Sequence, residues 1–205
     1  MRKPTGTPAI HGGEDVRTRT LAGQNTPPIL ATRAKRGWRA QLGAIVIGTA
    51  LLALSAHIEV PFWPVPLSLQ TLVVLLIGLA GGARLGGTIV LAYLAEGALG
   101  LPVFHGGGGL AYFAGPTAGY LFGFLPAAIL VGALAERGGA GGIARTAAVL
   151  LLGDALIFTF GLAWLAPSFG LAKSIALGLV PFLPAEAAKL ALAMAMAPLL
   201  RRRAP

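Results

Sequence analysis

The sequence predicts an all-α integral membrane protein with six transmembrane helices and long non-cytoplasmic loops 1 and 3. Composition is the first observation: 56% of the 205 residues are hydrophobic and only 11% are charged, against roughly 45–50% apolar and 25% charged in soluble domains. Mean hydropathy is +0.78, which excludes a water-soluble globule. The second is the length of the charge-poor stretches, close to the ~20 residues that a ~30 Å hydrocarbon core demands at ~1.5 Å per helical residue. The third is the placement of lysine and arginine, which fall almost entirely on one side of the predicted spans.

Residues 1–37 are rich in Thr, Gly, Pro and Arg and lack the apolar core of a secretory signal, so they are expected to form a basic, disordered cytoplasmic tail; residues 38–205 form the membrane domain. The first span runs over 41–56, with Trp38 and Arg39 anchoring its cytoplasmic end. Residues 57–66 hold Pro61, Pro64 and Pro66 and cannot be regular helix, which makes them a far-side loop. Spans at 67–81 and 85–99 follow, separated by a turn that carries Arg84. Glycine density over 100–116, with four in a row at 106–109, marks a second long far-side loop. The remaining spans are 117–135, 145–165 and 172–200, the last kinked at Pro181 to Pro184. The tail, Arg84, Arg137, Arg145 and Arg201 to Arg203 share one side, and only Lys173 dissents, so both termini are placed in the cytoplasm of a prokaryotic cell membrane.

The net charge of +9 lies in segments that flank the hydrophobic block, eight of the 16 basic residues being in or beside the tail. No folded basic face results, which argues against nucleic acid as a partner. The absence of cysteine excludes a disulfide framework, an iron–sulfur cluster and thiol chemistry. No G-x-x-x-x-G-K-[ST], H-E-x-x-H or G-x-S-x-G occurs, so neither ATP hydrolysis through a phosphate loop nor hydrolase chemistry has residues to stand on.

Charges within membrane spans cost at least ~2.5 kcal/mol each on insertion scales and need a partner or a wet cavity. The candidates are Glu96, Asp154, Glu186 and Lys189, with His57 and Glu59 at the mouth of the first span. Spacing i, i+3 puts Glu186 and Lys189 on one helix face just after the proline break. They read either as a polar ligand site or as a self-satisfied ion pair. Asp154 equally suits a bond to a neighbouring helix or the orientation of a ligand, whereas Glu96, one turn from the glycine-rich loop, is expected to snorkel to the surface. Phe62, Trp63, Phe104, Tyr112, Phe113, Tyr120, Phe158 and Trp164 gather near the far-side loops, as either an interfacial belt or the wall of an apolar site. Thr49 and Ala53 form a small-residue ridge, which fits docking of another membrane protein and internal packing alike.

Four motifs in order carry a resemblance: IEVPFWPVPLSLQT from Ile58 to Thr71, GALGLPVF from Gly97 to Phe104, GPTAGYLFGF from Gly115 to Phe124, and PFLP from Pro181 to Pro184 with Glu186 and Lys189 beyond it. Over about 41–200 the chain resembles the BioY family, the biotin-binding substrate (S) components of energy-coupling-factor (ECF) vitamin transporters. The resemblance implies high-affinity biotin binding and uptake without enzymatic activity or a cofactor. The partners it implies are a transmembrane T component and two cytosolic ATPases, or a homo-oligomer where the chain acts alone. It maps Lys189, Glu186, Asp154, Tyr120 and Gly106 onto the ligand site, and Thr49 and Ala53 onto the docking ridge. The first expectation is Lys189 on the biotin carboxylate, with the opposite orientation open. Ala185 and Glu186 stand where many relatives have Gly-Asp, and His105 stands where a small residue is expected. The alternatives are an S component for a different small vitamin and a membrane interaction protein that transports nothing.

Overall fold

The computed structural model describes residues 37–139 and 142–201. The tail expected over 1–37 therefore lies outside the described residues except for Gly37. The chain forms α1 (Trp38–His57), the two-residue strands β1 (Glu59–Val60) and β2 (Leu67–Ser68), α2 (Gln70–Ala98), a 3₁₀ turn at Leu110–Ala114, and α3 (Ala118–Leu134) running into a π turn at Ala135–Gly139. It continues through α4 (Ile143–Phe169), α5 (Leu171–Gly178), a 3₁₀ turn at Val180–Phe182 and α6 (Leu183–Arg201). Five helical segments are long and apolar enough to cross a membrane: Trp38–His57, Gln70–Ala98, Ala118–Gly138, Ile143–Phe169 and Leu171–Leu200.

The second of these segments is a hairpin. Gly82 inside α2 has φ 72° and ψ 179°, a conformation that a side chain would resist. Gln70 Nε2 donates to the Tyr93 hydroxyl at 2.7 Å across 23 residues, which a straight helix would spread over about 35 Å. The sequence-predicted spans 67–81 and 85–99 are accordingly the two limbs of α2, residues 70–81 and 83–98. The carboxylate of Glu136, from the π turn, accepts from the Ala83 N–H at 3.0 Å and so caps the returning limb at its orphaned N-terminus.

The core sits where both limbs of α2 meet α3 and α4. Leu75, Ile89, Val90, Ala127, Ala128, Val131, Leu150 and Ile157 are all buried there. Close approach depends on small residues: a Cβ on Gly123 would stand 2.9 Å from the Ile157 Cα, so any side chain there would push α3 off α4. Helix α1 is peripheral, with Val46, Ile47, Leu51 and Leu54 exposed, as a lipid-facing stripe requires. The kink expected at Pro181 to Pro184 is a complete break, because the 3₁₀ turn separates α5 from α6. The loop expected over 57–66 contains the β1–β2 ribbon, in which Glu59 pairs with Ser68 and Val60 with Leu67.

Candidate functional site

The proline break frees the first turns of α6 to face the start of α2. There Lys189 Nζ donates to Glu186 Oε1 at 2.6 Å and to Thr71 Oγ1 at 3.1 Å, while the Thr71 hydroxyl donates to Glu186 Oε2 at 2.9 Å. All are buried, with Glu186 3% and Lys189 8% exposed. Asp154 on α4 is buried beside Glu186 and Lys189, and its Oδ1 has no hydrogen-bond partner among the described residues. The cluster thus offers two carboxylates against one ammonium, and one of the three N–H donors of Lys189 remains for a further oxygen.

This cluster closes one side of a narrow cavity of about 40 Å³, room for roughly three waters. Its walls include Tyr120, Leu121, Phe124, Phe158 and Phe182, with Ser68 from the β1–β2 ribbon, Gln70 from the start of α2, and Phe104, His105 and Tyr112 from the glycine-rich loop. The rings pack on one another: Tyr120 is stacked on Phe182 at 6.3 Å between centroids, and Phe158 meets both edge-on. The Tyr120 hydroxyl donates to the Gly178 carbonyl at 2.7 Å, which holds the end of α5 against α3.

The glycine-rich loop is anchored by Phe104, which is 1% exposed and surrounded by Tyr93, Tyr112 and Phe113. A bridge between Phe104 and Gly107 tightens the tip, and the Tyr93 hydroxyl donates to the Val103 carbonyl at 3.0 Å. At that tip His105 Nδ1 lies 2.6 Å from Glu59 Oε1 on β1. Burial first, offset in part by a hydrogen bond with Thr117, and then the negative charge of Glu59 push the Tyr112 phenol above its usual range.

Lys189, Glu186 and Tyr120 stand on the cavity wall as the sequence leads one to expect, and Asp154 lies behind it against the ion pair. Gly106 is exposed at the loop tip with φ 75° and stands outside the cavity lining, where it shapes the turn that presents Phe104 and His105. Thr49 is buried, its hydroxyl bonded to the Val46 carbonyl at 3.2 Å, so it packs inward, whereas Ala53 is half-buried. Thr71 was missed although it ends the first quoted motif; a hydroxyl that opens an apolar span was the available signal. A larger, mostly apolar groove of about 1130 Å³ runs between α1, α2 and α6, with Gln41, Arg84, Thr88 and Glu136 as its polar lining.

Comparison with known proteins gives a consistent set of likenesses. Residues 30–205 match the BioY family. The chain is 37% identical over 158 residues to a probable biotin transporter BioY of Pyrococcus horikoshii, covering 77% of this chain and 93% of that protein. It is 38% identical over 159 residues to a biotin transporter BioY of Rhizobium etli, covering 73% and 83%. Among solved structures it resembles the S-component for biotin from an ECF-type ABC transporter, with a TM-score of 0.73, 28% identity, and coverage of 81% of this chain and 93% of the other.

Proposed function

The chain belongs to the BioY family, and on that premise we propose that it binds biotin in the cavity beneath its far-side segments, as the substrate-specific subunit of an ECF-type uptake system. The observation that carries this reading is the buried Thr71–Glu186–Lys189 cluster at the edge of an aromatic-walled cavity. Biotin combines an apolar fused ring system with a ureido group and a carboxylate, and a mostly apolar site with a few convergent polar groups is complementary to it.

Charge pairing favours one orientation. Lys189 is already paired with Glu186, so a ligand carboxylate placed there would add an unpaired negative charge beside Glu186 in a desolvated site. The ureido group is neutral and offers two N–H donors and one carbonyl acceptor. Lys189 then donates to the ureido oxygen, Glu186 and Asp154 accept from its nitrogens, and Tyr120, Phe158 and Phe182 enclose the bicycle.

Counting the two limbs of α2 separately gives six membrane crossings, with both termini in the cytoplasm and the ribbon and glycine-rich loop on the far side. The chain has no phosphate loop, so energy for uptake comes from partners: a transmembrane T component and two cytosolic ATPases. Docking would use the outer face of α1, formed by Val46, Ile47, Leu51 and Leu54, from which both Thr49 and Ala53 are turned toward the core. Equilibrium binding of labelled biotin to the purified full chain, with unlabelled biotin and thiamine as competitors, tests the reading. Saturable binding displaced by biotin alone is expected, and a folded sample that binds none would overturn it.

A further inference from the structure

We propose that His105 and Glu59 are positioning residues that clasp the two far-side segments over the cavity and thereby set how fast biotin leaves. The proposal rests on the biotin reading above for its ligand, but its geometry is independent of that reading.

Each segment is internally braced. Glu59 belongs to the β1–β2 ribbon, further tied by the Leu69 N–H to the Ile58 carbonyl at 3.1 Å, and that ribbon leads directly into Gln70 and Thr71. His105 follows the buried Phe104 anchor, and Gly106 and Gly107, at φ 75° and 143°, turn the chain at that tip. Among the described residues no backbone hydrogen bond joins the ribbon to the glycine-rich loop. The 2.6 Å contact between His105 Nδ1 and Glu59 Oε1 is therefore a direct polar joint between the two arms, beside the relay from Gln70 through the Tyr93 hydroxyl to the Val103 carbonyl at the base of the loop.

A cavity of about 40 Å³ cannot pass a bicyclic ligand unless its walls part. Separating the arms breaks this joint, so its strength enters the barrier to opening.

The two partners are unequally solvated. The His105 side chain is 43% exposed and can pass into water easily, but that of Glu59 is 12% exposed, and its Oε2 is buried without a partner among the described residues. Removing His105 would leave this largely buried carboxylate without its partner, near the Tyr112 phenol on which its charge already acts. His105→Ala therefore does more than delete an attraction: it leaves a carboxylate, one oxygen of which is buried without a partner among the described residues, that is better hydrated when the arms part. Neutralising that charge by Glu59→Gln in the same chain should close the arms again in part.

The test measures dissociation of labelled biotin from the full-length protein in nanodiscs, together with a ligand-independent readout. The chain is free of cysteine, so Val65→Cys, at a cavity-lining position that is 4% exposed, gives a single thiol whose reaction with a small maleimide reports opening. For His105→Ala, dissociation roughly three- to tenfold faster is expected, with thiol labelling accelerated by a similar factor. The doubly substituted Glu59→Gln/His105→Ala protein should fall below the sum of the single effects, a non-additivity that a general loss of packing would not produce. Unchanged labelling in His105→Ala would overturn the clasp whether or not the protein binds biotin. Strictly additive effects in a biotin-binding protein would overturn it as well. Absence of biotin binding in the unaltered chain would sink the substrate reading alone, because the labelling arm still decides the clasp.

Discussion

Replacing Lys189 by methionine removes the one buried cation of the cluster while keeping most of the side chain's volume. In the proposed orientation it deletes a bond from an ammonium to the ureido oxygen, and hydrogen bonds to charged groups contribute about 1.5–3 kcal/mol. At about 1.4 kcal/mol per tenfold, biotin should bind roughly 10- to 150-fold more weakly. The substitution has a structural cost too, since Glu186 is 3% exposed and Lys189 is its cation at 2.6 Å. Removing one partner of a buried pair commonly costs about 3–5 kcal/mol. Glu186→Gln/Lys189→Met, which removes both charges, separates the two effects: it should recover thermal stability but not affinity. Equilibrium competition with biotin and with its methyl ester reads the orientation. With the ureido end at Lys189, both ligands lose affinity by the same factor in either variant. Should the double variant unfold like the parent chain and bind biotin with parental affinity, Lys189 has no place in the site.

Three further outcomes follow from named contacts. A Cβ on Gly97 would clash with the edge of the Phe104 ring, so Gly97→Ala should displace the loop anchor and lower stability by about 1–3 kcal/mol, read by thermal unfolding, with biotin binding weakened as well. Tyr120→Phe keeps the stacked ring but leaves the buried Gly178 carbonyl without its 2.7 Å donor; a loss of about 1–3 kcal/mol in unfolding free energy is expected, and an unchanged unfolding transition would remove that bond from the account. Single cysteines placed at Trp63 and at Arg84 should be labelled by a membrane-impermeant thiol reagent from opposite sides of sealed vesicles; labelling from the same side would refute the crossing made by residues 70–81.

The membrane class was legible because composition and span length respond to the solvent alone. The hairpin in α2 was legible too, since two glycines and an arginine between apolar runs mark both a turn and a cytoplasmic loop. The polar cluster was half legible. Glu186 and Lys189 share a helix face by spacing, but their third partner, Thr71, lies 115 and 118 residues away in the chain, and no local pattern encodes such a contact. The joint between Glu59 and His105 was hidden for the same reason. The place of Gly106 was not legible because a glycine that shapes a loop and one that touches a ligand look alike in sequence; the structure shows its positive φ and open surroundings at the loop tip.

The excess of acid over base in the cluster has a structural counterweight. Glu186 lies in the first turn of α6, where unsatisfied N–H groups and the aligned peptide dipoles amount to roughly half a positive charge. Lys189 and the helix end together offset the charge of Glu186, so the cluster holds no spare positive charge for a ligand anion. A second anion would upset that balance, whereas a neutral group with two donors and one acceptor exchanges hydrogen bonds with the cluster and leaves its charge unchanged. In the proposed orientation the same balance would direct the biotin carboxylate away from α6 toward the β1–β2 ribbon and the glycine-rich loop, where partial hydration lowers the cost of keeping it ionised.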